Sequence, residues 1–276
     1  MRIDSHQHFW KYDPVIYDWI NEDMGILKAE FLPGHLALLL DENNFHGCIA
    51  VQSEQSERHN DFLLDLAEKN SFIKGVAGWI DLRADNVEEK LDQLRPFTKL
   101  KGFRHILQGE LKKDMMLEPE FIRGLKALDK RGYTYDILVY PFQFPYIIEL
   151  LRFCPNQKFI LDHLGKPSIK EGRIKEWKKD MERLASFENL YCKMSGMVTE
   201  ADCHTWKYAD FIPYMDVVVE SFGTDRILFG SDWPVCLLAG GYADILNIME
   251  RYFSSFTETE QQNVFGLNAM KFYNLN

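Results

Sequence analysis

The chain has 276 residues, 46% hydrophobic and 27% charged, which is ample apolar material for one large core and argues against disorder. A formal net charge of −10 and a pI near 5.3 argue against nucleic acid or an anionic membrane surface as partner, since both attract basic patches. Cys48, Cys154, Cys192, Cys203 and Cys236 are odd in number and never spaced as a CxxC pair, so neither a disulfide framework nor a zinc knuckle is expected.

In chain order, β-rich segments alternate with helical ones. A strand is expected over 2–9, then a long connection over 10–44 with Pro14, Trp19, Pro33 and a helical piece at 35–41, long enough for a partial lid. Strands follow at 47–53, 73–81, 100–107, 133–140, 158–164, 190–195 and 226–231, with helices at 60–68, 87–94, 120–130, 144–153, 174–185, 211–222 and 243–252 between and after them. The helix from Glu120 sets Phe121, Leu125 and Leu128 at spacings of three and four, the stripe that covers a barrel wall. The lysines from Lys166 to Lys179 are interleaved with Glu171 and Glu176 and read as a solvated face. Terminal helices are expected over 257–273, opened by a capping box of Thr257 and Glu260. Eight strands with interleaved helices predict an α/β fold, a distorted (β/α)8 TIM barrel in a single domain over 1–276, rather than an open doubly wound sheet. With no run of about eighteen apolar residues and no basic leader before an apolar stretch, a cytoplasmic protein is expected.

Function in such a barrel gathers at the C-terminal strand ends. Those ends offer His6 and His8, Gln52, Arg104 and His105, Asp136, Asp162 and His163, Lys193, and Asp232. His6 and His8, two apart on a strand, share a face and can hold one metal or one oxyanion, or simply cap the strand end. Asp232 ends an apolar strand before a tight turn, as a turn cap or as a general base toward water. His163 closes the apolar run Phe159-Ile160-Leu161, where an ionisable group needs a reason. Lys166 either reaches solvent or touches substrate. Arg104 can bind a carboxylate or several hydroxyls in a fork. Lys193 is a cation inside an apolar strand, with Asp136 as its candidate partner.

His6-Gln7-His8-Phe9-Trp10, Gly102-Phe103-Arg104-His105, Leu161-Asp162-His163-Leu164-Gly165-Lys166-Pro167, Lys193-Met194-Ser195-Gly196 and Phe229-Gly230-Ser231-Asp232-Trp233-Pro234 occur in that order along nearly the whole chain. Together they resemble the lactonase branch of the amidohydrolase superfamily (amidohydrolase family 2), with the nearest likeness to L-fuconolactonases and L-rhamnonolactonases. The resemblance implies a hydrolase that opens sugar-acid lactones, with Asp232 shuttling the water proton and His163, His6 and His8 beside the carbonyl. It implies substrate contacts from Gln52, Arg104, His105, Asp136, Lys193, Trp10 and Trp233, and a small-molecule sugar lactone as partner. Binuclear members resemble one another in a bridging Lys or Glu on strand 4 and a His on strand 5. Here Arg104-His105 and Asp136 stand in those places, so a two-metal site is not expected. One divalent cation, zinc, at His6, His8, Asp232 and His163 and metal-independent catalysis both remain open, as does a homo-oligomer. Two rivals are a zinc-dependent non-oxidative decarboxylase of the same superfamily and a catalytically inactive binding barrel.

Overall fold

The computed structural model describes residues 1–275. Eight strands, β1 (Ile3–Gln7), β2 (Gly47–Val51), β3 (Ile73–Gly78), β4 (Leu100–His105), β5 (Thr134–Ile137), β6 (Phe159–Leu161), β7 (Leu190–Met194) and β8 (Ile227–Phe229), pair in parallel in sequence order. Helices between successive strands enforce that direction, because parallel neighbours need a crossover. The seam between β8 and β1 is closed at the site end. The His8 N–H donates to the Trp233 carbonyl at 2.7 Å and the Asp232 N–H to that of His6 at 2.8 Å. Beneath, the Asp4 carboxylate accepts the backbone N–H groups of Ser231 at 2.9 Å and His6 at 3.1 Å. Strand positions of the candidate histidines are thus set by the closure of the barrel itself.

Around the strands lie α1 (Pro33–Glu42), α2 (Glu57–Lys69), α3 (Val87–Leu94), α4 (Pro119–Asp129), α5 (Phe144–Phe153), α6 (Lys175–Ala185), α7 (Met197–Glu200), α8 (Tyr208–Phe222), α9 (Tyr242–Phe253), α10 (Glu258–Gln262) and α11 (Asn268–Phe272). The expected stripe of Phe121, Leu125 and Leu128 is buried on α4. Two helices start earlier than their apolar periodicity predicts. Ser56 caps α2 by accepting the His59 N–H, so a polar first turn precedes the first apolar contact, and α8 begins at Tyr208. Thr257 and Glu260 form the expected capping box, with the Glu260 carboxylate accepting the Thr257 N–H at 2.9 Å.

Alternation sorts the interior, interrupted on β1 where the register shifts between Asp4 and Gln7. Cys48, Ala50, Phe103, Tyr135, Phe159, Leu161, Cys192 and Phe229 face the helices, whereas Ile3, Ile49, Val51, Ala77, Ile160 and Leu228 fill the lower barrel together with Phe272 and Tyr273 at the C-terminal end of the chain. The long first connection is a compact lid. Trp10 and Phe31 exchange backbone hydrogen bonds of 3.0 and 2.9 Å, and Trp10, Tyr17, Ile20 and Leu27 make a small core of their own. Among the described residues, no helix is long and apolar enough to cross a membrane.

Candidate active site

β1 delivers His6 and His8 upward into the barrel mouth, where both are buried. The His8 Nδ1 lies 2.8 Å from the Val51 carbonyl, which orients the ring and leaves Nε2 facing the Asp232 carboxylate at 3.4 Å. The His6 Nε2 stands 3.8 Å from the same carboxylate oxygen. Asp232 occupies a left-handed backbone conformation at φ 57°, sparsely populated for a residue with a side chain and held here by the seam hydrogen bond of its own N–H.

His163 reaches the site by a turn of the backbone. Strand alternation would point Asp162 inward and His163 outward toward the helices. Instead, β6 stops at Leu161, and His163, Leu164, Gly165 and Lys166 all take positive φ, 54–66°. The reversal brings the His163 ring to 4.5 Å from that of His6, centroid to centroid, with its Nδ1 at 2.8 Å from the Ser195 hydroxyl. Gly196 makes room for it, since a Cβ there would sit 2.6 Å from His163 Nδ1.

Below these imidazoles is a buried ionic layer. The Lys193 ammonium donates to Asp136 at 2.5 Å and lies 3.0 Å from both His6 Nδ1 and the Asp162 carboxylate. Arg104 donates to Asp162 at 3.2 Å and to the Gln52 carbonyl, and its Nη1 lies 3.3 Å from His6 Nε2. The Asp162 Oδ1 has both Lys193 and His6 within 3.3 Å yet no aligned hydrogen bond, so it is held by charge rather than by direction. Removing ions from water is tolerable only in such a balanced set.

Residues 3–275 match the amidohydrolase family model. The chain belongs to the amidohydrolase family. It is 37% identical to an L-fucono-1,5-lactonase of Burkholderia multivorans, over 100% of this chain and 96% of the relative, and 32% identical to an L-fucono-1,5-lactonase of Burkholderia ambifaria, over 99% and 96%. A crystal structure of a Burkholderia multivorans amidohydrolase with bound zinc superposes with a TM-score of 0.97 at 36% identity, over the whole of both chains. A Rhizobium 2,6-dihydroxybenzoate decarboxylase, at 14% identity and a TM-score of 0.68, shares the fold.

In this amidohydrolase the electrostatics divide the groups by role. Burial pushes the Asp232 carboxyl up, but His163, His8 and Lys166 overcome that and hold it below its ordinary value, so it is ionised at neutral pH. Burial depresses His163 and His6 well below the usual imidazole range, against the opposing pull of Asp232 on the first and Asp162 on the second, so both are neutral. Asp162 is also buried, yet Lys193, His6 and Arg104 keep it ionised far into acid.

Two sets of donors are close enough to share a metal ion, His6 with His8 and Asp232, and His6 with Asp162 and His163, each within 4.8 Å. The second is compromised because Asp162 is already engaged by Arg104 and Lys193. The first fits, since His8 is anchored through its other nitrogen, as metal-bound imidazoles ordinarily are. At formal charge the three buried carboxylates Asp136, Asp162 and Asp232 exceed the two cations Lys193 and Arg104 by one, so the cluster favours a further cation.

Asp136 and Lys193 are paired as their sequence contexts suggest. His105 is not part of the cluster. It follows Arg104 by one residue on β4, so it faces outward, between the Trp79 indole N–H at 3.2 Å and Glu110 at 2.7 Å. Trp10 is fully buried with its indole N–H on the Ala29 carbonyl at 3.0 Å, as the centre of the lid's own core. Trp233 packs on Phe9 and Phe31. Lys166 departs from the expected solvated face: it pairs with Glu200 at 2.6 Å, and Glu200 outweighs burial to raise its ammonium. Gln52 donates to the Arg104 carbonyl at 3.1 Å while its Oε1, like Arg104 Nε, has no partner among the described residues. Asp162 and Ser195 are the site residues that sequence reasoning left out of the reacting set. Asp162 had a signal, being a second ionisable group at the end of an apolar strand; Ser195 had none.

Proposed function

We propose that the chain is a lactonase that opens the ring of a sugar-acid lactone to the aldonate. The observation that carries this reading is one ionised carboxylate, Asp232, facing the imidazoles of His8 and His6 at 3.4 and 3.8 Å, with neutral His163 also close. A carboxylate beside the neutral imidazoles of His6 and His163 can accept a proton from water and return it later, so one group can serve both proton transfers of ester opening.

Asp232 takes a proton from water as the water oxygen attacks the lactone carbonyl. The electron pair of the C=O bond moves to the carbonyl oxygen, and its charge is met by hydrogen-bond donors from His163 and by the Arg104 guanidinium. As the tetrahedral centre collapses, the ring C–O bond breaks, and the leaving alkoxide takes the proton from Asp232. His6, His8 and Asp232 would hold a divalent ion such as zinc, which supplies Lewis-acid polarisation when bound. The orphaned Gln52 Oε1 is suited to accept a sugar hydroxyl, since a buried acceptor without a partner signals one that is missing. The two Burkholderia relatives put L-fucono-1,5-lactone first among substrates to try.

The test is the hydrolysis rate of freshly prepared aldonolactones at neutral pH, with metal-stripped and zinc-supplemented protein beside Asp232→Asn. Rapid opening of one stereochemical series, lost in the variant, supports the reading. No opening of any lactone by either preparation refutes it.

A further inference from the structure

Among the described residues the lower barrel is apolar but for two phenols, half-buried Tyr191 and fully buried Tyr273. Tyr273, at the end of α11, is 1% exposed and lies among Ile3, Ile49, Val51, Ile160 and Leu228. Its ring enters from the barrel end opposite the reacting groups, and its hydroxyl donates upward to the Asp136 carboxylate, 2.9 Å from Oδ2 and 3.1 Å from Oδ1. Among the described residues, the Asp136 side chain is held by Tyr273 and Lys193 alone. The Lys193 ammonium donates to Asp136 at 2.5 Å, lies 3.0 Å from His6 Nδ1, and faces the Asp162 carboxylate at 3.0 Å without an aligned hydrogen bond.

We propose that Tyr273 is a positioning residue of the active site, its hydroxyl fixing Asp136 so that Lys193 is held against His6. A carboxylate sharing its oxygens between a phenol and an ammonium has one preferred orientation. Without the phenol, the free oxygen of Asp136 turns to Lys193, and the ammonium is drawn off His6 Nδ1. The His6 ring then loses the partner at Nδ1 that fixes it, and its Nε2 is no longer held toward Asp232. The ring of Tyr273, 5.7 Å from the Lys193 ammonium, adds a weak attraction that the phenylalanine variant retains, so substitution isolates the hydroxyl.

The kinetic arm of the test rests on the lactonase reading; the spectroscopic arm does not. Tyr273→Phe is compared with Phe272→Leu, which disturbs the same helix at a buried side chain packed on Tyr191 and Tyr273. The His6 ring nitrogens are followed in long-range 1H–15N spectra, assigned by loss of their signals in His6→Gln. Expected for Tyr273→Phe is a shift of the His6 nitrogen signals and a fall in kcat of about ten-fold, the scale of one hydrogen bond to a charged group, with KM within about two-fold. Phe272→Leu lowers Tm but leaves both readouts unchanged. Unchanged His6 signals in Tyr273→Phe overturn the proposal whatever its kcat. If that variant does not fold, Asp136→Asn alone is read in its place: shifted His6 signals support the route through Asp136, and His6 signals identical to wild type overturn it. A wild-type protein that opens no lactone refutes the functional reading and leaves the spectra to decide this one.

Discussion

The upper and lower halves of the barrel interior come from the same strands, yet they are stabilised in different ways. In the lower half, Ile49, Val51, Ala77, Ile160 and Leu228 pack on Phe272, and each contributes in proportion to the apolar area it removes from water, independently of its neighbours' chemistry. In the upper half, His6, Arg104, Asp136, Asp162 and Lys193 are also buried, but each is tolerable only because of the others. Stability below is therefore close to additive and insensitive to pH, while stability above depends on keeping the set complete. Two positions along a strand separate the regimes: Ile160 belongs to one and Asp162 to the other.

The sharpest way to separate them is Asp232→Asn, which keeps the shape but removes the proposed proton acceptor. A loss of about 10³-fold in kcat is expected with Tm nearly unchanged, on the scale of general-base removal. Steady-state kinetics beside thermal melting check it, and a variant within ten-fold of wild type would exclude Asp232 as the base.

Next in size is the contrast between Lys193→Met and Ile49→Ala. Lys193→Met strands two buried carboxylates, Asp136 and Asp162, at a cost of about 3–5 kcal/mol. Ile49→Ala opens a cavity in the lower half at a cost of about 2–5 kcal/mol. Urea unfolding should find the two comparable, whereas kcat per folded molecule should collapse in the first and survive in the second. Equal activities would mean that the ionic layer is only a scaffold.

Much of this division is legible in the amino-acid sequence, because alternation along a strand is a rule of period two. His6 and His8, and the i, i+2 series Leu228, Gly230 and Asp232, follow it. It also explains why His105 points away: a residue adjacent to Arg104 must face the helices unless the backbone reverses. At His163 the backbone does reverse, through four successive positive-φ residues, and only Gly165 among them advertises the conformation. Tyr273 was illegible for another reason. Nothing in a terminal helix says that it closes the bottom of a barrel, and its contact with Asp136 joins residues 137 apart in sequence.

Another buried ionisable group, His59 on α2, lies outside both halves and gives the comparison a pH axis. Burial lowers its imidazole from the ordinary 6.5 to about 4, with Glu54 opposing only weakly at 3.8 Å. Between those values the unfolded chain binds a proton that the folded one does not, so stability falls as pH drops from 6.5 to 4, by about 3 kcal/mol in all. Urea midpoints across that range should slope in wild type and flatten in His59→Gln. A slope that persists in the variant would place the acid sensitivity in the ionic layer instead.

The smallest expected effect tests whether the upper half needs its reversed backbone or only its chemistry. Gly196→Ala brings a methyl to 2.6 Å from His163 Nδ1 at φ 61°, whereas Gly223→Ala, at φ 65°, meets nothing within 4 Å. Gly196 has ψ 12°, in the left-handed helical region, and Gly223 has ψ 164°, in a region essentially reserved for glycine, so each variant loses Tm by its own amount and kcat is the readout compared. Only Gly196→Ala displaces the imidazole from Ser195, and a shift of a fraction of an ångström at a reacting group costs on the order of ten-fold in rate. A ten-fold fall in kcat confined to Gly196→Ala assigns Gly196 to the placement of His163. Equal kcat in the two variants would mean that the ring yields without consequence, and that His163 acts through its charge environment rather than its position.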